Sequence, residues 1–192
     1  MRLPYAFPSP LHTERLRLRT MTLADIDDVH AFQSREDVCR YLTFGPRSYA
    51  DVAEKVAQFA TATTLRGDGD YWQLALEHQG HVIGDLYFSI KNVQNATAEI
   101  GWGMHPDHHG HGYMTEAATA VLNVAFGELG LHRVMAEVDP RNTASVALCT
   151  RLGMREEARL VEAVWFKGEW SDTGIYAILE REWARRASES RR

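Results

Sequence analysis

Along residues 14–21 apolar and charged side chains alternate, Leu16 and Leu18 against Arg15, Arg17 and Arg19. A period of two marks a half-buried strand, because successive side chains leave opposite faces of an extended backbone. The pattern then changes. Thr22, with Asp25 three residues on, reads as a helix N-cap and predicts a helix to about residue 35. A second helix is predicted after Ser48, with Asp51 in its first turn. Val52, Val56, Phe59 and Thr63 share one face at helical spacing, and Gly67 lies beyond its end.

Strands follow. Residues 71–77 and 82–90 flank His78-Gln-Gly-His81, which predicts a hairpin, and residues 91–95 form another turn. Residues 97–105 make a third strand that contains Gly101 and Gly103. Glycines inside a strand predict a bulge, or a close approach of another backbone or a ligand. Beyond it the order becomes loop (106–112), helix (113–128, closed by Gly130), strand (131–138), then a short helix opened by Asn142 and ended near Leu152 by Gly153. Two last strands, 159–166 and 173–179, flank the turn Lys167-Gly168-Glu169. The sum is a mixed α/β domain, antiparallel early and strand-loop-helix-strand in the middle.

At 192 residues, one domain is expected, and 45% apolar residues suffice for its core. A net charge of −5 argues against a general nucleic-acid binder, which carries a basic excess. Cys39 and Cys149 fit no redox or zinc spacing and read as free thiols in a reducing cytoplasm. Residues 1–10 lack the apolar run of a secretory signal, and no stretch nears ~18 consecutive apolar residues, so no membrane span is expected. The Arg-rich residues 185–192 read as a frayed tail.

The segment from Trp102 to Ala117 carries the chemistry. It runs strand, glycine-bearing loop, helix start. Gly110 and Gly112 let an anion reach the backbone N–H groups and let the chain adopt positive φ. The helix start that follows leaves about four N–H donors unpaired and adds its positive dipole end, a site for phosphate or diphosphate. His109 and His111 add donors. A P-loop would need Lys-Ser/Thr after its last glycine, where Tyr113-Met114 stands; a dinucleotide fingerprint would need three glycines early in a βαβ unit.

Residue by residue this segment resembles motif A of the GNAT acetyltransferases, Gln/Arg-x-x-Gly-x-Gly/Ala. Asp107-His-His-Gly-His-Gly112 fits except that Asp stands first. It is similar in more detail to the RimJ/RimL branch, the ribosomal-protein N-terminal acetyltransferases, through Glu99-Ile-Gly-Trp102, His105-Pro106 and Gly110-His-Gly-Tyr-Met-Thr-Glu-Ala117. Asn142-Thr-Ala-Ser145 before Leu152-Gly-Met154 and the C-terminal hairpin from Glu162 to Asp172 match in the same order, so the resemblance covers residues 13–182. It implies a mixed, mostly antiparallel central sheet of about seven strands, flanked by helices and splayed at its central strands. It further implies acetyl-CoA as cosubstrate and direct transfer of the acetyl group to a primary amine, either a protein N-terminal α-amine or a small molecule.

The resemblance assigns cofactor binding to Trp102, Met104, His109, Gly110, His111, Gly112, Tyr113, Met114, Thr115, Asn142 and Ser145. Asn142 is expected on the pantetheine arm, a backbone N–H near Met104 on the oxyanion, and Ser145 as proton donor to the leaving thiolate. Glu162 is the first candidate for the base that deprotonates the amine, directly or through water; it shares a strand face with Val164, where some relatives carry the acid. Glu99 is its rival. Trp102, Trp165, Trp170, Tyr41, Phe44 and Tyr71 are candidates for the acceptor pocket, and residues 40–47 for its rim. His105, His108, His109 and His111 are dense, but no carboxylate or cysteine set completes a metal geometry, so no metal is expected. No nucleic acid or membrane partner is expected. Dimers are common in the family, so a homodimer is carried as an expectation, as is a cytoplasmic location. The competing reading is an acyl-CoA-binding sensor that has lost turnover.

Overall fold

The computed structural model describes residues 1–189. Two short strands, β1 (Tyr5–Ala6) and β2 (Leu11–His12), precede β3 (Arg17–Thr20). A 3-10 turn, Leu23–Asp25, leads into α1 (Ile26–Gln33), followed by the single turn α2 (Glu36–Cys39) and by α3 (Tyr49–Thr61). After β4 (Thr64–Leu65) come β5 (Tyr71–His78), β6 (His81–Asn92) and β7 (Thr97–Met104). Then follow α4 (Tyr113–Asn123) with a π-helical continuation (Val124–Glu128), β8 (Arg133–Val138) and α5 (Thr143–Leu152). The chain closes with β9 (Arg155–Phe166), β10 (Glu169–Leu179) and α6 (Glu180–Glu189).

Eight strands form one sheet in the order β2-β3-β5-β6-β7-β8-β10-β9, and β1 pairs separately with β4. Every neighbouring pair in the large sheet is antiparallel except β7 and β8, which are parallel because α4 carries the chain over the sheet between them. That parallel pairing covers only Thr97–Arg133, Ala98–Val134 and Glu99–Met135. Past it β7 stays paired with β6 and β8 with β10, so the two strands diverge and the sheet opens at its centre.

Side-chain alternation gives each face its own core. Trp72, Leu74 and Leu76 of β5 join the larger cluster with Phe88, Ile100 and Val121, whereas Ala75 joins Val29, Phe32, Val52 and Val56 beneath α1 and α3. The charged face of β3 is paired. Arg19 donates to both oxygens of Asp25 at 2.7 and 2.8 Å and to Glu77 at 2.6 Å. Asp25 also closes the capping box foreseen at Thr22, accepting its N–H at 2.7 Å. Both partners are largely buried, so Asp25→Ala strands one side of a guanidinium and opens a helix cap. It is expected to destabilise the protein by about 3 kcal/mol, read as a fall in the urea midpoint at unchanged slope.

Several predicted boundaries move. The first helix begins as a 3-10 turn and ends at Gln33, β3 spans only Arg17–Thr20, and β9 starts four residues early at Arg155. The short β2 brings the sheet to eight strands. The tail expected to fray from Arg185 is helical to Glu189, and residues 190–192 lie outside the described residues. Gly101 and Gly103 make no bulge, because the β6–β7 register is regular from Gly84–Met104 to Ile90–Ala98. Only at Gly103 is space tight, and the neighbour is a side chain rather than a backbone: an added Cβ there would stand 3.0 Å from Asp85, whereas one at Gly101 would make ordinary contact 3.8 Å from Tyr87. Cys39 and Cys149 are free and buried. Among the described residues no helix is long and apolar enough to cross a membrane.

Candidate active site

The loop after β7 is shaped by its own sequence. His105 still donates its N–H to Ile83 at 2.9 Å, Pro106 opens a 3-10 turn, and His109 sets a ring nitrogen 3.2 Å from the Met104 carbonyl. Gly110 and Gly112 both take φ +79°, the left-handed region that costs glycine least. Gly112 is the N-cap of α4 and offers no side chain to its amides. The first intrahelical bond runs from Glu116 N–H to Gly112 at 3.0 Å, so the amides of Tyr113, Met114 and Thr115 precede it and have no partner within the helix. They line a groove of about 1090 Å³ together with Gly110, His109 and Met104. A Cβ at Gly110 would meet nothing within 4 Å. This is a cradle for an anion at a helix N-terminus.

The groove wall is tied down by side chains. Arg15 pairs with Glu116 at 2.7 Å, donates to the His111 carbonyl at 2.8 Å and lies 4.7 Å over the Tyr113 ring. The Tyr113 hydroxyl is 3.2 Å from His78, and Arg151 reaches Thr115 at 3.3 Å. His111 is not a lining residue; its ring packs 5.6 Å from Tyr113. Asp107 points outward, its side chain 81% exposed.

A second cavity of about 470 Å³ fills the opening between β7 and β8. Ile100, Gly101 and Gly103 face Ala136 and Val138 across it. Tyr41, Leu42, Thr43, Phe44 and Arg47 close it from above. The two cavities share Tyr41, Leu42, Trp102, Gly103, Asn142 and Ser145. At that junction Asn142 caps α5 by accepting the Ser145 N–H at 3.1 Å, and the Trp102 indole N–H donates to the Ser145 hydroxyl at 3.1 Å. Indole only donates, so Ser145 accepts here and keeps its own proton to give.

The candidate acids separate. Glu99 lines the second cavity and is bound by Lys91 at 2.9 Å. Glu162 lines neither cavity. It lies exposed on β9, the outer strand of the sheet, at φ +49°, with its N–H donated to Asp172 at 3.0 Å. The pairing of β9 with β10 jumps from Val164–Ser171 to Leu160–Thr173, so the alternation linking positions 162 and 164 does not run through this bulge. Trp165 and Trp170 pack on each other at 5.3 Å, exposed and away from both cavities. Tyr71 packs on Phe59 and Tyr87 beside the second cavity.

One residue was not anticipated. Asp85 of β6 is buried and lines the second cavity. It accepts from Gln33 at 2.6 Å, and burial pushes its carboxyl up to about 6. Its signal in the sequence is a lone carboxylate amid the apolar run 82–90. Around the loop, His105 and His108 lie 6.0 Å apart, and burial with the nearby His105 and His78 lowers His108. Among the described residues no three His, Cys, Asp or Glu side chains gather as a metal site.

The family model described as Acetyltransferase (GNAT) domain matches residues 15–155. The chain is 31% identical to the uncharacterized N-acetyltransferase p20 of Bacillus licheniformis over 91% of its own length and 98% of the relative's. It is 32% identical to the uncharacterized N-acetyltransferase YnaD of Bacillus subtilis over 89% and 97%. The crystal structure of a GNAT-family acetyltransferase from Bacillus anthracis superposes with a TM-score of 0.79 at 30% identity, covering 89% of this chain and 98% of that one.

Proposed function

From the premise that the chain belongs to the GNAT family and is an acetyl-CoA-dependent N-acetyltransferase, we propose that the junction at Ser145 is where its acetyl group changes hands. The observation that carries this reading is the shared wall. A groove with an anion cradle at one end and a cavity between splayed strands meet only there. Acetyl-CoA supplies the thioester that donates the acetyl group. The amides of Gly110 and of residues 112–115 fit its diphosphate, and Trp102, Met104, Asn142 and Ser145 fit the thioester end of the groove.

The His105 N–H turns toward β6, so by strand alternation that of Met104 turns toward the gap left by β8. There it is a donor for the carbonyl oxygen as charge develops on it. Ser145, held by Trp102 and Asn142, protonates the departing sulfur. A thiol has an ordinary pKa near ~8.5, so a thiolate leaves readily and needs modest help. Ser145→Ala is therefore expected to lower kcat about 10-fold with acetyl-CoA affinity unchanged. Single-turnover thiol release checks this, and an unaltered chemical step removes Ser145 from the mechanism.

The second cavity is read as the acceptor site for a protein N-terminal α-amine or a small-molecule amine. Glu99-Ile-Gly-Trp102 and Gly110-His-Gly-Tyr113 support the RimJ/RimL branch. We further read residues 1–192 as one domain, cytoplasmic and able to form a homodimer. Thiol release with amines and peptides tests the whole; coenzyme A binding without turnover on any acceptor would favour a sensor.

A further inference from the structure

Asp85 stands at the floor of the second cavity, opposite Gly103 across the β6–β7 ladder. Because Gly103 has no Cβ, nothing fills the position 3.0 Å from the Asp85 Oδ1 atom. Its other oxygen is committed: Oδ2 accepts from the Gln33 side-chain amide at 2.6 Å. Gln33 is held in turn by Arg47, whose guanidinium donates to the Gln33 side-chain oxygen and whose backbone N–H donates to the Gln33 carbonyl at 2.9 Å. Arg47 stacks on Phe44 with 3.6 Å to the ring centroid. A half-buried cation, a buried amide and a buried carboxylate thus form a row, with one carboxylate oxygen turned toward Gly103.

The other acids lining this cavity are placed differently. Glu99 is paired with Lys91 at 2.9 Å. Asp139 is paired with Arg141 at 2.7 Å and accepts from Ser171 at 2.8 Å. Glu137 is exposed. A carboxylate in direct contact with a cation loses basicity, whereas a buried one bonded only to neutral groups, here Gln33, Gln73 and the Gly103 N–H, keeps more of it.

We propose that Asp85 is the general base that takes the proton from the acceptor amine, with Gln33 and Arg47 as positioning residues. This rests on the reading of the second cavity as the acceptor site. An N–H bond of the acceptor ammonium breaks and an O–H bond forms on Asp85. The pair released on nitrogen forms the N–C bond to the acetyl carbonyl, and the C–S bond breaks with its pair on sulfur. Sulfur takes the Ser145 proton, Ser145 is replenished from the second nitrogen proton, and Asp85 returns its proton to water.

Burial raises the Asp85 carboxyl to about 6, against the Gln33 bond, the Arg47 charge, the Gly103 N–H and Gln73. Cys39 and Arg47 are the titratable groups that face it from the helical side, and Tyr87 lies on its own strand. A base must be ionised to act, so acceptor kcat/KM rises with pH through about 6 and then levels.

The test uses the full chain, with spermidine, n-butylamine and a free-amine tripeptide as probes. Asp85→Asn should lower kcat about 100-fold, remove the acid limb of the pH profile and leave acetyl-CoA affinity by calorimetry within about 2-fold. Asp85→Glu should restore part of the rate. Infrared titration of wild type against Asp85→Asn follows the same carboxyl with no acceptor present. A limb that survives in Asp85→Asn, a limb abolished by Glu99→Gln instead, or no carboxyl band titrating above pH 5 overturns the proposal. Loss of acetyl-CoA binding by wild type would overturn the broader site assignment, a separate result. If Asp85→Asn fails to fold, Gln33→Ala removes a donor to the ionised form, and its limb should move to higher pH; a limb that does not move overturns the assignment.

Discussion

Replacing Gly110 with aspartate is expected to weaken acetyl-CoA binding roughly 1,000-fold while the protein stays folded. Gly110 sits at φ +79° with no heavy atom within 4 Å of where a Cβ would go. Aspartate tolerates the left-handed region better than most residues, so the cost to the fold is small, about 1 kcal/mol. The cost to binding is electrostatic. Two unit charges of like sign 4 Å apart repel by about 4 kcal/mol at an effective dielectric of 20, near three decades in affinity. The new carboxylate also competes for the amides at the start of α4. Gly110→Ala separates the two effects: it carries the strain without the charge and should bind within about 10-fold of wild type. Calorimetry with coenzyme A and thermal melting measure binding and fold independently. Unchanged affinity in the aspartate variant would refute the loop as the diphosphate site.

Gly101→Leu is expected to act on the other substrate, lowering kcat/KM for the acceptor about 100-fold and leaving the affinity for coenzyme A as it was. A Cβ at Gly101 makes ordinary contacts, 3.8 Å from Tyr87, so β7 need not shift. The rest of a leucine side chain must enter the 470 Å³ cavity that Gly101 lines. An acceptor displaced there by about 1 Å loses on the order of 100-fold in rate. Steady-state kinetics with each substrate varied in turn distinguish the effects. An acceptor that reacts as before enters by another route.

Much of this arrangement is visible in the sequence because it is local. Leu16 and Leu18 alternate with arginines because β3 is buried on one face. Thr22 and Asp25 spell their capping box, and Gly110 and Gly112 mark left-handed backbone. Asn142 and Ser145 lie three apart because one caps the amide of the other. What the sequence conceals depends on which strands meet. Asp85 looks like an oddity in an apolar run until Gly103 is found opposite it and Gln33 above it. Period-two reasoning put Glu162 and Val164 on one face, but the β9–β10 bulge sets residues 161–163 against Asp172 alone and breaks the period. Gly103 marks a close approach without naming the partner, since Asp85 is on another strand, and Gly101 meets Tyr87 only at ordinary distance.

The two chambers have a common wall only from Tyr41–Leu42, Trp102–Gly103 and Asn142–Ser145. Elsewhere the groove is lined by residues of 12–15, 108–123 and 144–151, with Asp37 and Val38 at its edge, and the second cavity by residues of 43–47, 73–87, 99–101 and 136–139. Changes within 43–47 or 73–87 therefore leave the lining of the groove as it is. If the groove takes the acyl carrier as proposed, such a body can exchange one clientele for another through the loop after α2 and through β5 and β6 and still be served by a single universal carrier.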